Sequence, residues 1–205
     1  MKITIIRGKE QQTFTVKKTK GDTYLDVFDK IKEQDPTFTY RKNCRSGICG
    51  TCGCTVNGKA TLACITLAQN NAVIGPRKGR VIRDLVVDEK KYFDELKTIK
   101  PFIIKNEEKD HVMMPSIVDR INHSQDCVLC AVCDDNSKDT PVKPSLIVKA
   151  WQYFVDTREA EKHEHITAIH EGLLKLTPRQ IKSMETCPLH IPIASKAKEL
   201  KRLLE

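Results

Sequence analysis

Cys44-Arg45-Ser46-Gly47-Ile48-Cys49-Gly50-Thr51-Cys52-Gly53-Cys54, with Cys64 following, is the stretch on which the reading of this chain turns. Cys44, Cys49, Cys52 and Cys64 form C-x4-C-x2-C-x11-C, the plant-type spacing for a [2Fe–2S] cluster, in which each of two irons is held by two thiolates. Three ligands then come from one loop wrapped over the cluster, and the fourth arrives on a later strand. Gly47, Gly50 and Gly53 suit such a loop, because the backbone must pass close to the inorganic sulfides and aim amides at them. A zinc knuckle is the alternative, but it favours two C-x2-C halves, and the first gap here is four residues. Cys54 is surplus to this set and is expected to be a small buried hydrophobe.

Working outward, the segments around the loop read as strands packed with one helix. Ile3-Thr4-Ile5-Ile6 and Thr13-Phe14-Thr15-Val16 are rich in β-branched residues and separated by polar residues, which predicts a hairpin. Asp22-Thr23 offers a helix N-cap, Tyr24, Leu25, Phe28 and Ile31 recur at helical spacing, and Pro36 ends the run. Asn57-Gly58 joins Thr55-Val56 to Ala60–Ala63 in a second hairpin. Val81 to Val87 is expected to be the closing strand. The order predicts a β-grasp domain over residues 1–100.

Composition changes near Lys100-Pro101, and residues 101–205 read as all-helical. Helices are expected over Pro115–His123, Ser145–Thr157, Glu164–Leu174, from Pro178 onward, and over Pro192–Leu204. Thr177-Pro178 supplies an N-cap and a proline at the first helical position. Within this half lies a second cysteine set, Cys127, Cys130 and Cys133 in C-x2-C-x2-C, with Cys187-Pro188 far downstream. Three thiolates on a tight turn plus a distant Cys-Pro is the bacterial-type arrangement for a [4Fe–4S] cubane. Zinc with a histidine as fourth ligand is the alternative; His123, His163, His165 and His190 sit mainly among charged residues and are expected to be mostly solvated.

There are 205 residues and nine cysteines, with 40% hydrophobic and 30% charged residues, so a packed core is expected and global disorder is not. No run of about 18 apolar residues exists to span a membrane. The charged start Met1-Lys2-Ile3-Thr4-Ile5-Ile6-Arg7 does not read as a signal peptide, so cysteine richness points to intracellular, cytoplasmic metal chemistry. Net charge is +8, made of +9 in residues 1–100 and −1 in 101–205. The basic residues are scattered and aromatics are 5%, which argues against nucleic acid and for a charged protein-docking face. Arg41, Lys42 and Arg45 on the cluster loop are its expected cations. No nucleophile–base pair, Walker loop or dinucleotide fingerprint is present, so no catalytic residue is expected on this chain.

Asp35-Pro36-Thr37-Phe38-Thr39-Tyr40-Arg41, Cys44–Gly50, Arg83-Asp84-Leu85-Val86-Val87-Asp88 and Asp126–Cys133 together make the chain resemble, over nearly its full length, the iron–sulfur subunit of the succinate dehydrogenase/fumarate reductase family. The resemblance implies an α+β chain, a β-grasp plant-type ferredoxin domain followed by an all-α bacterial-type ferredoxin domain. It also implies a [2Fe–2S] cluster on Cys44, Cys49, Cys52 and Cys64, and a [4Fe–4S] cluster on Cys127, Cys130, Cys133 and Cys187. In that family these sit on an electron wire leading from a flavoprotein subunit, which holds the flavin, toward a membrane quinone. The family's third cluster, a [3Fe–4S] centre, would take its thiolates where this sequence has Ser137, Thr177 and Ser183. Hydroxyls that stay protonated at neutral pH are poor iron ligands, so that cluster is expected to be absent.

The expected function is therefore a non-catalytic electron-transfer subunit of an oxidoreductase. It would relay single electrons between a flavoprotein and a soluble acceptor or donor, with a separately encoded acceptor subunit as a further partner. Two alternatives stand beside it: a stand-alone ferredoxin-like reductant for another metalloenzyme or activation complex, and a zinc-binding assembly adaptor.

Overall fold

The computed structural model describes residues 1–104, 112–121, 123–137 and 139–204. The chain is mixed α+β and divides into two units. The first comprises Met1–Glu89 together with Val128–Asp135, the second Lys90–Cys127 together with Asn136–Glu205. The sequence reading put a single boundary at residue 100; here it falls near residue 90, and the short 128–135 segment joins the first unit.

In the first unit, β1 (Lys2–Arg7) and β2 (Glu10–Thr15) form the expected hairpin, turning over Gly8-Lys9. Helix α1 (Tyr24–Gln34) begins at a capping box, in which Thr23 Oγ1 accepts from Asp26 N and the Asp26 carboxylate accepts from Thr23 N at 2.8 Å. β3 (Gly53–Val56) and β4 (Lys59–Leu62) turn over Asn57-Gly58 as expected. The strand that completes the sheet is β5 (Ala72–Gly75), running parallel to β1 and antiparallel to β3, for an order β2-β1-β5-β3-β4. Val81–Val87 does not close this sheet. It forms a separate two-stranded ribbon, β6 (Val81–Arg83) and β7 (Val86–Val87).

The reason lies at Asp84, which is buried with a positive φ of 47° and accepts from Arg7 Nε at 2.9 Å and Thr39 N at 2.8 Å. That role turns the chain where an extended strand would run straight. Ile3 and Ile5 of β1, Leu25, Phe28 and Ile31 of α1, Phe38, Leu62 and Ile74 share one core, so helix and sheet bury their apolar faces together.

The second unit is helical: α2 (Lys90–Lys97), α3 (Pro115–Ile121), a 3₁₀ turn at Ser124–Asp126, α5 (Pro144–Val155), α6 (Glu164–Thr167), α7 (His170–Leu174), α8 (Pro178–Ser183) and α9 (Ile193–Leu204). The remaining helix, α4 (Val132–Asn136), starts inside the 128–135 segment of the first unit. The expected helix over Glu164–Leu174 is two short ones, and α2 and α4 were not foreseen. α5 and α9 pack together, with Ile147, Trp151, Ala197 and Leu200 buried, and Trp151 Nε1 donates to the Arg120 carbonyl at 3.2 Å. α8 carries the expected N-terminal signals, with Thr177 and Gln180 forming a capping box ahead of Pro178.

His165 departs from the expectation of solvated histidines. It is fully buried, with Nδ1 3.0 Å from the Ile99 carbonyl, Nε2 2.8 Å from the buried Glu159 carboxylate, and Tyr153 stacked on its ring. His123, His163 and His190 are exposed. Among the described residues no helix is long and apolar enough to cross a membrane.

Candidate metal centre

Residues 44–52 wind ahead of β3 through left-handed backbone at Arg45 (φ 61°), Gly47 (φ 77°) and Gly50 (φ 69°). The winding turns amides inward. Cys44 Sγ accepts from the amides of Cys49 (3.2 Å), Ile48 (3.3 Å) and Ser46 (3.4 Å), and Cys64 Sγ accepts from Gly47 N at 3.3 Å. Those amides, with the Cys49 thiol beside them, pull the Cys44 thiol down to about 6. Burial pushes the Cys52 thiol up to about 12, with Cys64 as its side-chain neighbour.

One winding stretch of backbone thus serves sulfurs from both ends of the set, Cys44 through the Cys49 amide and Cys64 through the Gly47 amide. Amides aimed at sulfur favour the charged form that a metal imposes. The residues fit a two-iron cluster. Among the described residues no three His, Cys, Asp or Glu converge on a single ion; a cluster with two protein ligands per iron calls for no such group.

Cys54 stands apart on β3, paired across the hairpin with Thr61 and only 1% exposed, and burial pushes its thiol up. In the second set, Cys130 and Cys133 are buried in the 128–135 segment of the first unit, while Cys127 and Cys187 are half-buried in the second. The chain around Cys130 is wound through Leu129 (φ 55°) and Ala131 (φ 54°), a conformation costing about 1–2 kcal/mol at each non-glycine residue. Leu189 N donates to Cys187 Sγ at 3.4 Å.

Two of the loop's glycines also lie against other parts of the chain. A Cβ on Gly50 would lie 2.6 Å from the Val128 carbonyl, and one on Gly53 would lie 2.4 Å from Arg77 Cδ. Arg77 was missed by sequence reasoning, since a lone arginine after a short strand carries no periodic signal.

The cations of the loop are neutralised where they stand. Arg45 pairs with Asp26 and with Asp29 (2.6 Å), Lys42 with Asp29 (2.7 Å) and Arg41 with Glu89 (3.5 Å). Among the loop's exposed residues, which include Lys42, Asn43, Arg45, Ser46 and Thr51, Ile48 is apolar and 70% exposed; Leu67, beyond Cys64 in the chain, is 63% exposed.

The three hydroxyl residues all lie in the second unit. Ser137 Oγ is buried and without a hydrogen-bond partner among the described residues. Thr177 Oγ1 caps α8, and Ser183 Oγ donates to the Gln180 carbonyl at 2.7 Å. Thr177 and Ser183 line a polar cavity of about 540 Å³ with Asn136, Asp139, Arg179 and Gln180.

Residues 3–94 match the family described as 2Fe-2S iron-sulfur cluster binding domain. The chain is 31% identical over 204 residues to the mitochondrial succinate dehydrogenase (ubiquinone) iron–sulfur subunit 2 of Oryza sativa subsp. japonica, covering 90% of this chain and 66% of that one. It is 25% identical to the succinate dehydrogenase iron–sulfur subunit of Coxiella burnetii, covering 88% of this chain and 83% of that one. A solved structure entitled Mycobacterium smegmatis Sdh1 complex in the apo form contains a chain that superposes with a TM-score of 0.82 at 22% identity, covering 98% of this chain and 94% of that one, a likeness of fold.

Proposed function

We propose, from a chain that belongs to the family of succinate dehydrogenase iron–sulfur subunits, that it relays single electrons between a flavoprotein partner and an acceptor or donor outside the bilayer. The reading gives it a β-grasp [2Fe–2S] domain over residues 1–100 and an α-helical [4Fe–4S] domain over 101–205. Cys44, Cys49, Cys52 and Cys64 would hold the first cluster; Cys127, Cys130, Cys133 and Cys187 the second. Bound there, the clusters supply one-electron carriage without bond chemistry.

The single observation that carries the reading is the set of inward-facing amides, three on the Cys44 sulfur and the Gly47 amide on the Cys64 sulfur. The chain's own contribution is positional and electrostatic. The amides of Ser46, Ile48 and Cys49 hold the Cys44 sulfur in its anionic form, and the burial of Cys52 and Cys64 keeps water from that edge. Ile48 on the cluster loop and Leu67 beyond Cys64 are exposed apolar side chains, which suit contact with a partner that must bring a flavin close to the first cluster.

At the far end, Thr177 and Ser183 already serve α8, and no thiol stands at 137, 177 or 183. We infer that the wire ends at the second cluster, with no [3Fe–4S] centre, so that the onward partner is not a membrane quinone site.

Purification from native cells without oxygen tests the assignment. The expected result is co-purification of a flavin-bearing subunit whose substrate reduces the clusters of this chain. Isolation of the chain with zinc bound, or with an unrelated metalloenzyme and no flavin, would contradict it.

A further inference from the structure

Arg77 is 6% exposed, deeper than any other arginine among the described residues. Its stem lies flat against Gly53, between Cys52 and Cys54 of the first cysteine loop: the three atoms nearest to a Cβ added there all belong to Arg77, with Cδ at 2.4 Å and Nε at 3.0 Å. Its guanidinium reaches the second cysteine loop and donates to the backbone carbonyl of Cys130. Glu89 Oε2 accepts from the same group at 2.8 Å, and Asp135 Oδ2, which also accepts from Lys78 N, lies 3.8 Å away. Beside this contact Gly50 passes under Val128, where a Cβ would lie 2.6 Å from the Val128 carbonyl and 3.2 Å from Cys130 Cβ.

We infer that Arg77 is a positioning residue that clamps the loop carrying Cys130 and Cys133 onto the loop carrying Cys49 and Cys52, and thereby sets how efficiently an electron passes between the two clusters. The inference rests on the electron-relay reading. The step moves one electron from one cluster to the other and moves no proton, so the protein's means of control is the separation and rigidity of the two loops. A planar fork suits the task, because it holds a backbone carbonyl and a carboxylate in fixed directions, which lysine's flexible ammonium does not. Neutralisation of the buried guanidinium by Glu89 and Asp135 lets it remain in place without a large uncompensated charge.

The contact predicts a double-mutant cycle. Gly53→Ala, whose new methyl would meet Arg77 first, should displace the guanidinium and loosen residues 128–135. In an Arg77→Ala background the same change should be nearly silent. Hydrogen exchange of residues 128–135 reads the clamp independently of any cluster. Spin–spin coupling between the two reduced clusters, with the rate of electron equilibration between them, reads its consequence.

The expected result is faster exchange in both single variants, no further increase in the double variant, and electron equilibration slowed by about tenfold or more with both clusters retained. Arg77→Lys should fall between. If Arg77→Ala loses its clusters, Gly53→Ala and Arg77→Lys carry the test. Intact clusters with unchanged coupling and rate would overturn the inference alone. Wild-type protein lacking the two clusters would overturn the relay reading and the electron-transfer consequence with it, and unchanged exchange in 128–135 would remove the clamp itself.

Discussion

Cys54 and Cys49 lie five residues apart and have opposite environments. Cys54 faces the core from β3, while Cys49 lies in the loop, its amide on Cys44 Sγ and its own sulfur 3.2 Å from Thr51 Oγ1. Cys54→Ala should therefore keep the visible spectrum of the [2Fe–2S] cluster and lose only about 1 kcal/mol of stability, whereas Cys49→Ala should abolish the spectrum. Absorption and denaturant melts of the two variants check both halves. Asp29 offers a second test at this scale. Its burial favours the neutral form, but hydrogen bonds from Lys42, Tyr40 and Arg45 outweigh it and hold the carboxyl at about 2, below its usual 3.8. A depressed carboxylate contributes stability that is complete above pH 3.8 and is lost as pH falls through about 2. Asp29→Asn should flatten the stability curve across that window, measured by circular dichroism in denaturant at each pH; an unchanged slope would mean the cluster of cations does not hold Asp29. The two cysteine sets stood out in the sequence because their spacings are those that metal ligation imposes. Arg77 and the buried His165 did not, because Arg77 is defined by the Cys130 carbonyl and His165 by the Ile99 carbonyl, both distant in sequence.

Strands and helices were legible where local chemistry decides them. Thr23, Asn57-Gly58 and Thr177-Pro178 mark α1, the second hairpin and α8 through caps and turns that need no tertiary context. β5 was missed because a central strand of four residues has no alternation; Ala72-Val73-Ile74-Gly75 is a short apolar run between β1 and β3. Val81–Val87 misled for the converse reason, since β-branched residues fill it although Asp84 must bend to meet Arg7. The two segments should respond differently to truncation. Ile74 is fully buried, so Ile74→Ala should cost about 2–5 kcal/mol. Ile82 is exposed on β6, so Ile82→Ala should stay within about 0.5 kcal/mol. Equal losses in denaturant unfolding would contradict the assignment of β5 as the closing strand.

For the molecule as a whole, the +9 of residues 1–100 suggests an electrostatic docking face, and the fold sets Arg41, Lys42 and Arg45 in ion pairs with Glu89, Asp26 and Asp29. Surface pairs of this kind contribute little individually, and the net charge already counts their carboxylates. Ile48 and Leu67 are apolar candidates for recognition beside that charge, and the sequence did not single them out because exposure depends on the fold. The central claim is that one chain carries two clusters and lacks the ligands for a third. Iron, acid-labile sulfide and EPR analysis of protein kept anaerobic from cell to tube tests it most directly. The account predicts about six irons and about six sulfides per chain, with signals from one reduced [2Fe–2S] and one reduced [4Fe–4S] centre. Zinc in place of iron, or a three-iron signal in oxidised protein never exposed to air, would contradict it.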